Sequence, residues 1–228
     1  KVDILVTPLV TIFAGVGLSM LIAAPIGAAA SQVGTLIMWA TEQAPLVMGI
    51  LVSVIVGVAL TLPISSAAIC AALGLTGLAG GAAVAGCCAQ MVGFAVMSYK
   101  ENGVGGLVSQ GLGTSMLQMG NIIKNPRIWI APTLASAITG PLATCLFHFE
   151  MNGAAVSSGM GTCGLVGQIG VYTGWVSDIA AGTKAAITPM DWAAMVLLCF
   201  VLPAVLSVVF CEVERKLGWI KDGDLKLN

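Results

Sequence analysis

Long stretches without a charged residue constrain the fold of this chain more than any other feature. Five runs contain no Asp, Glu, Lys or Arg: 4–41, 43–99, 128–149, 151–177 and 192–211. Charged residues make up 8% of the chain, whereas soluble domains carry about 25%. A helix that crosses a bilayer needs about 20 consecutive apolar residues. The sequence therefore predicts an all-α transmembrane protein, a polytopic helical bundle of about five to seven crossings with one or two re-entrant hairpins.

Prolines set the expected ends of the first helices. We expect a crossing over 4–24, kinked at Pro8 and stopped near Pro25, because proline cannot donate a backbone hydrogen bond inside a helix. A short interfacial helix over 31–41 is expected to follow, with its tryptophan at the level of the lipid headgroups.

The later runs predict the remaining crossings. Proline is tolerated in the first turn of a helix, so the next crossing is expected to begin at Pro45 and to end at Pro63. A Gly-Leu-x-Gly motif occurs at Gly74 and again at Gly164, and we interpret it as a trace of an internal repeat. The other predicted elements are a half-helix over 62–74 and crossings over 76–99, 128–149 and 192–211.

The segment 148–174 is too rich in glycine for an ordinary spanning helix, since each glycine weakens a helix by about 1 kcal/mol relative to alanine. Non-helical backbone at membrane depth survives only where protein or a water-filled cavity satisfies its amide groups. We therefore expect a re-entrant hairpin, with the ionisable pair His148 and Glu150 at its entrance. Transporters place broken helices of this kind at the substrate site.

The segment 100–125 is the most polar stretch before the carboxyl terminus. Its centre, 107–119, alternates apolar residues with Ser, Thr and Gln. This pattern predicts either an element that lines an aqueous cavity or an amphipathic helix at the membrane interface. Farther along, Asp178, Lys184 and Asp191 flank a turn-like sequence that we interpret as a solvent-exposed loop.

Several chemistries are not expected. The seven cysteines lie in apolar surroundings without a CxxC pair, and His148 is the only histidine, so neither a metal site nor a cofactor is predicted. The nine Lys and Arg residues form no basic stripe, so we expect no nucleic-acid partner. The sequence contains no Walker loop and no nucleophile elbow.

Candidate solute-binding residues are polar groups in otherwise uncharged surroundings. Glu150 could accept hydrogen bonds from sugar hydroxyl groups, because acids within membranes are expensive and usually functional. The alternative is that each of these residues only satisfies neighbouring backbone groups. The predicted solute-binding residues are Glu150, His148, Asn152, Ser157, Ser158, Thr162, Gln168, Gln90, Gln110 and Gln118.

Several long motifs carry a family resemblance. They are VDILVTPLVTI, LTLPISSAAI, GLAGGAAVAGCCAQMVGFAVMSYKENGVGGLVSQGLGTSMLQMGNI, NPRIWIAPTLASAITGPLATCLF and GMGTCGLVGQIG. Together they extend over nearly the whole chain, which resembles the IIC-like membrane proteins of the phosphotransferase system, EIIC type 2, in the branch that includes the perfringolysin O regulator. Members of that family carry further amino-terminal helices, so we expect that part to be missing here.

The resemblance implies a homodimeric inner-membrane protein that binds a sugar, which a separate cytosolic phosphotransferase component, IIB, phosphorylates. It supplies no ligand motif residue by residue, and the sequence contains no recognisable IIA or IIB domain. We therefore expect a transport domain rather than an enzyme.

The expected organisation is a transmembrane domain over 1–211 and a cytoplasmic tail over 212–228, because basic residues crowd the tail. The expected function is to bind a sugar or other small polar solute and to translocate it by alternating access in the bacterial plasma membrane. Two alternatives stay open. One is a non-transporting membrane sensor that regulates gene expression, and the other is a channel or structural subunit of a membrane assembly.

Overall fold

The described structure is helical almost throughout. The computed structural model describes residues 3–227, with backbone alone for 3–5, 18 and 20–24. The α-helices are α1 (Asp3–Gln43), α2 (Pro45–Thr61), α3 (Ser66–Leu73), α4 (Gly77–Met97), α5 (Tyr99–Val108), α6 (Met119–Lys124), α7 (Ile130–Pro141), α8 (Val166–Ala180), α9 (Pro189–Val196) and α10 (Leu202–Lys216). This arrangement confirms the predicted all-α bundle.

Three continuous helical stretches are long and apolar enough to cross a membrane among the described residues: Gly77–Met97, Pro126–Leu146 and Pro189–Lys216. Two shorter apolar helices, Val6–Gly17 and Pro45–Thr61, accompany them. The prolines lie where the sequence places them, since Pro45 opens α2 and α2 ends two residues before Pro63.

The prediction for the amino-terminal region was wrong. A single helix of 41 residues, α1, runs through Pro8 and Pro25 without a break. Apolar surroundings favour continued helix, because a broken helix would leave backbone groups without partners in lipid. The side chains of Val10, Phe13 and Trp39 are exposed, so the described face of α1 is apolar and open.

Helix α4 is the centre of the bundle and packs against α2, α7 and α10. Its glycines permit backbone contact, since a methyl group built on Gly86 would overlap the carbonyl oxygen of Ser53. Serine hydroxyls join α2, α7 and α4. Ser53 Oγ donates to the Ser136 carbonyl at 2.8 Å, and Ser136 Oγ donates to the Gly86 carbonyl at 3.3 Å. Small residues at such contacts are typical of helix association in membranes.

The two long carboxyl-terminal spans each contain a π-helical turn. Leu142–Leu146 follows Pro141, and Leu197–Val201 precedes Pro203. Pro203 lacks the N–H that would bond back to Cys199, so the hydrogen-bond ladder of the second span shifts locally to a wider turn. Such π-turns often accompany functional sites.

The segment 148–174 is only half irregular. Residues 148–154 lie outside any helix, with His148 in a left-handed conformation and an extended stretch around the bridge at Met151; 3-10 turns occupy Ala155–Gly159 and Cys163–Leu165, and α8 begins at Val166. The second half is therefore helical, although α8, with 15 residues, is not among the helices long enough to cross a membrane. Gly167, Gly170 and Gly174 lie on α8 where the extended part and its turns pass directly against the helix, so a methyl group on any of them would meet backbone or side-chain atoms.

Two irregular segments meet one another. An isolated antiparallel bridge joins Gly77, at the start of α4, to Met151. Ser66 Oγ in α3 donates to the Gly159 carbonyl at 2.7 Å. Both Gly74 and Gly164, which carry the repeated motif, adopt left-handed backbone conformations just before a helix. Backbone groups of both irregular segments thus find hydrogen-bond partners within the protein.

We expect Gly86→Ala to destabilise the bundle, because the added methyl group would push α4 away from Ser53 on α2. Overpacking of this kind costs about 1–3 kcal/mol. The apparent melting temperature of the detergent-solubilised protein measures the loss. Gly120→Ala is the matched control, since a methyl group there meets nothing within 4 Å. Equal melting temperatures for the two variants would contradict the close α2–α4 contact.

Candidate functional site

A polar pocket of about 490 Å³ opens between the extended segment 148–152, α8 and the start of α9. Its charged lining residues are Glu150, Asp178, Lys184 and Asp191. The lining also includes Phe147, His148, Asn152, Trp175, Thr183 and Met190.

Alternation along the extended segment forms one wall of this pocket. Successive side chains of an extended chain point to opposite sides. Phe149 and Met151 are buried in the core, at 3% and 0% exposure. Glu150 and Asn152 therefore share the other side and line the pocket, together with His148 from the left-handed turn before them and part of Phe149. The structure places both His148 and Glu150, the expected ionisable pair, in the lining of this pocket.

Asn152 connects the wall to its neighbours. Its Nδ2 donates to Glu150 Oε2 at 3.0 Å and to Asp178 Oδ2 at 2.9 Å. Its Oδ1 accepts a hydrogen bond from the backbone N–H of Gly77 at 3.2 Å. The amide thus holds two carboxylates on one face and anchors both to the start of α4. Each carboxylate keeps its second oxygen for another partner.

The opposite wall comes from the loop between α8 and α9. Lys184 Nζ and Asp191 Oδ1 form an ion pair at 2.8 Å, with side chains 28% and 21% exposed. Asp191 also caps α9, because its side chain accepts from the Thr188 N–H while Thr188 Oγ1 accepts from the Asp191 N–H. The Lys184 ammonium lies 5.7 Å from the centroid of the Trp175 ring, within the range of a cation–π contact.

Charge in the pocket is unbalanced. The lining contains the three carboxylates of Glu150, Asp178 and Asp191 but a single lysine, Lys184. The lysine is already paired with Asp191. The unpaired acidic side therefore offers hydrogen-bond acceptors and disfavours anions, because like charges repel more strongly in partly desolvated sites.

His148 stands at the rim in a strained conformation. Its φ of 43° lies in the left-handed region, which costs a residue other than glycine of order 1–3 kcal/mol. Such strain is found mostly at ligand clamps and switch regions. Its exposed side chain and place in the lining make it available to a ligand.

The predicted hydroxyl residues of the hairpin lie deeper than the pocket. Ser157, Ser158 and Thr162 are buried. Ser158 Oγ donates to the Ala155 carbonyl at 2.7 Å, and Thr162 Oγ1 donates to the Gly111 carbonyl at 2.5 Å. These bonds satisfy irregular backbone, as their alternative interpretation proposes.

Gln168 lies on the first turn of α8. Its Nε2 is placed 3.2 Å from Cys88 Sγ. Its Oε1 is buried and finds no hydrogen-bond partner within residues 3–227. The structure does not bring this amide into the polar pocket.

Gln90 lies at the centre of the bundle, fully buried. Its Oε1 accepts from Trp129 Nε1 at 2.9 Å and from Thr61 Oγ1 at 3.2 Å, while its Nε2 donates to Thr133 Oγ1 at 3.3 Å. The amide therefore joins α4 to α2 and to the Pro126–Leu146 span. All three partners belong to the protein.

Gln110 and Gln118 form a separate buried pair on the polar segment 99–125. Gln118 Nε2 donates to Gln110 Oε1 at 2.8 Å and to the Leu225 carbonyl at 3.0 Å. This segment is not a single amphipathic helix. Helix α5, a π-turn at Ser109–Gly113, a 3-10 turn at Ser115–Gln118 and α6 follow one another.

Asp178, Lys184 and Asp191 are pocket residues that the sequence analysis assigned to a solvent loop. The loop is exposed at its tip, but these three side chains face the extended segment. Their charge could have indicated a site, since charged residues make up only 8% of the chain. Among the described residues, no three His, Cys, Asp or Glu side chains are grouped so that they could hold a metal ion.

Comparison with known proteins identifies the family. The family model described as Phosphotransferase system, EIIC matches residues 1–227. Searches of curated proteins and of solved structures each gave no match. The family match agrees with the helical fold, the apolar spans and the polar pocket between irregular segments. This chain is a membrane protein that belongs to the EIIC family of the phosphotransferase system, the family of sugar-transporter membrane domains.

Proposed function

We propose that this chain binds a neutral, polyhydroxylated solute in the pocket between 148–152 and α8, and translocates it by alternating access. The observation that carries the proposal is the extended segment, which turns His148, Glu150 and Asn152 to one side against Asp178. An enclosed site with a few convergent polar groups is the usual form of a small-molecule site.

The chemistry of the lining favours sugars over charged metabolites. Carboxylates accept hydrogen bonds from hydroxyl groups, and such charge-assisted bonds are stronger than neutral ones. The aromatic faces of Trp175 and Phe147 supply apolar area beside these acceptors. The excess of carboxylates would repel a phosphorylated solute. The unmodified sugar is therefore the expected ligand, and the sugar phosphate is expected to dissociate from the pocket.

Access would alternate through a movement of one irregular unit against the central bundle. The extended segment and α8 move together in this proposal, because Gly174 brings the helix within contact of the Asn152 backbone. Helices α2, α4 and α7 form the fixed partner. We further propose a homodimer in the bacterial plasma membrane with the basic tail in the cytoplasm, where cytosolic phosphotransferase components would meet the solute.

Of the remaining residues predicted to bind solute, the buried hairpin hydroxyls and the three glutamines of the other elements are assigned supporting roles. The side chains of Ser158, Thr162 and the three glutamines bond to the protein itself, so they shape the surroundings of the pocket. Gln168 is the exception. Its free Oε1 could contact a solute that moves deeper along α8.

Removing a carboxylate from the pocket should weaken solute binding. A screen of neutral sugars by thermal shift would first identify a ligand. We expect Glu150→Gln and Asp178→Asn each to raise the dissociation constant of that sugar about tenfold or more. A hydrogen bond to a charged group contributes about 1.5–3 kcal/mol. Calorimetric titration and uptake into proteoliposomes measure the effect.

Glu212→Gln serves as the control, because Glu212 pairs with Lys100 on the surface. If the pocket variants and the control bind and transport the sugar equally, the site is wrongly assigned. Sugar binding without uptake by the unmodified protein would instead support the sensor alternative.

Replacing the central amide should affect stability rather than binding. Gln90→Ala leaves the partly buried Trp129 Nε1 without its partner, at a cost of about 1–3 kcal/mol. Thr61 and Thr133 keep their bonds to Ser115 and to the Trp129 carbonyl. We expect a lower melting temperature and an unchanged sugar dissociation constant. Gln43→Ala, at the exposed end of α1, is the control. A selective loss of sugar affinity in Gln90→Ala would place this amide in the solute site.

A further inference from the structure

The segment after α10 is bound to the protein as a peptide ligand would be. Residues 217–227, called here the C-terminal strap, contain no helix and turn back through left-handed glycines at Gly218 and Gly223. They lie on the polar segment formed by α5, the π-turn and α6. Ile220 and Leu225 of the strap are buried, at 3% and 0% exposure.

Side chains of the polar segment recognise the backbone of the strap. Asn102 Nδ2 donates to the Leu225 carbonyl and Asn102 Oδ1 accepts from the Leu227 N–H, both at 2.8 Å. Glu101 Oε2 accepts from the Leu225 N–H at 2.8 Å. Asn121 Nδ2 donates to the Lys226 carbonyl at 3.0 Å. Bonds to four main-chain groups on three consecutive residues would not be needed to bury one leucine.

This geometry is that of a peptide groove. Main-chain hydrogen bonds supply affinity for an extended segment, and pockets for individual side chains supply specificity. Here the pocket holds Leu225, beside Phe94, Met97 and Ile122 of the same apolar cluster. Arg215 closes one end, because its Nη2 bonds Glu101 Oε1 at 2.8 Å with both side chains largely buried.

The groove is connected to the hairpin through hydrogen bonds. Gln118 Nε2 contacts both the Leu225 carbonyl and Gln110 Oε1. Gln110 is the second residue of the π-turn and directly precedes Gly111, whose carbonyl accepts the bond from Thr162 Oγ1. Thr162 is fully buried in the hairpin. A bonded path therefore runs from the strap through the π-turn to the hairpin.

We propose that the polar segment is a reversible peptide-binding groove occupied by the protein's own strap, and that strap release loosens the hairpin through the Gly111–Thr162 bond. The π-turn is the responsive element, since Gly103 nearby adopts a left-handed conformation that divides α5. The inference is independent of which solute the pocket binds, and no step of it requires transport.

Leu225→Asp in the full chain tests the proposal, because it places a charge in the leucine pocket. Leu217→Asp is the matched control, since Leu217 lies on the same segment and is 58% exposed. Hydrogen–deuterium exchange of the strap reports its release. The rate at which a water-soluble maleimide modifies Cys163, a partly exposed thiol next to Thr162, reports the hairpin, with exposed Cys145 as internal reference.

We expect Leu225→Asp to speed both strap exchange and Cys163 modification by roughly tenfold, as local opening would, with Cys145 and the control variant unchanged. Thr162→Val should speed Cys163 modification alone, because it breaks the last bond of the path while the strap stays bound. Asn102→Ala provides a second, milder release if Leu225→Asp does not fold.

Two results would overturn the proposal. Rapid strap exchange with an unchanged Cys163 rate would show that the groove is not coupled to the hairpin. Unchanged strap exchange in both Leu225→Asp and Asn102→Ala would show that the strap is a permanent part of the fold.

Discussion

The two backbone hydrogen bonds between Gly77 and Met151, at 3.0 and 3.1 Å, are the interaction on which the rest of the structure depends. A membrane offers no water to a chain that leaves the helical conformation, so the extended segment needs partners within the protein. The start of α4 supplies them, and Asn152 adds a third contact through the Gly77 N–H. Without this junction, the acidic wall of the pocket would have no fixed position relative to the bundle.

Glycine makes that junction sterically feasible and gives the helices their spacing. Gly81 brings α4 against the backbone of Phe149, and Gly174 brings α8 against Asn152. The same principle operates at Gly86 in the bundle centre. Apolar burial provides little drive for helix association in lipid, so close contact and buried polar links replace it. Gln90 and Ser136 are such links, and their hydrogen bonds hold the helices of the bundle together.

Helix ends set by nearby residues could be predicted from the sequence. Side-chain contacts between residues far apart in the chain could not. Pro45 and Pro63 bound α2 because proline acts on its own turn. Gln118 was expected to face solute, yet its partner Leu225 is 107 positions away, and no periodicity indicates that pairing. Asp178, Lys184 and Asp191 were assigned to solvent because they lie far along the chain from the extended segment. Only the fold, through α8 and the loop after it, brings them beside it. The 41-residue α1 was missed because the apolar surroundings outweigh the two prolines.

The alternation of buried and pocket-facing side chains over 148–152 also limits how this protein can move. A slip of one residue along the segment would carry Phe149 and Met151 out of the core and drive the Glu150 carboxylate into it. Registers between these arrangements are therefore not available to the extended segment. It can rotate or translate only with its whole register intact, so the site should switch between discrete arrangements instead of drifting through a continuum.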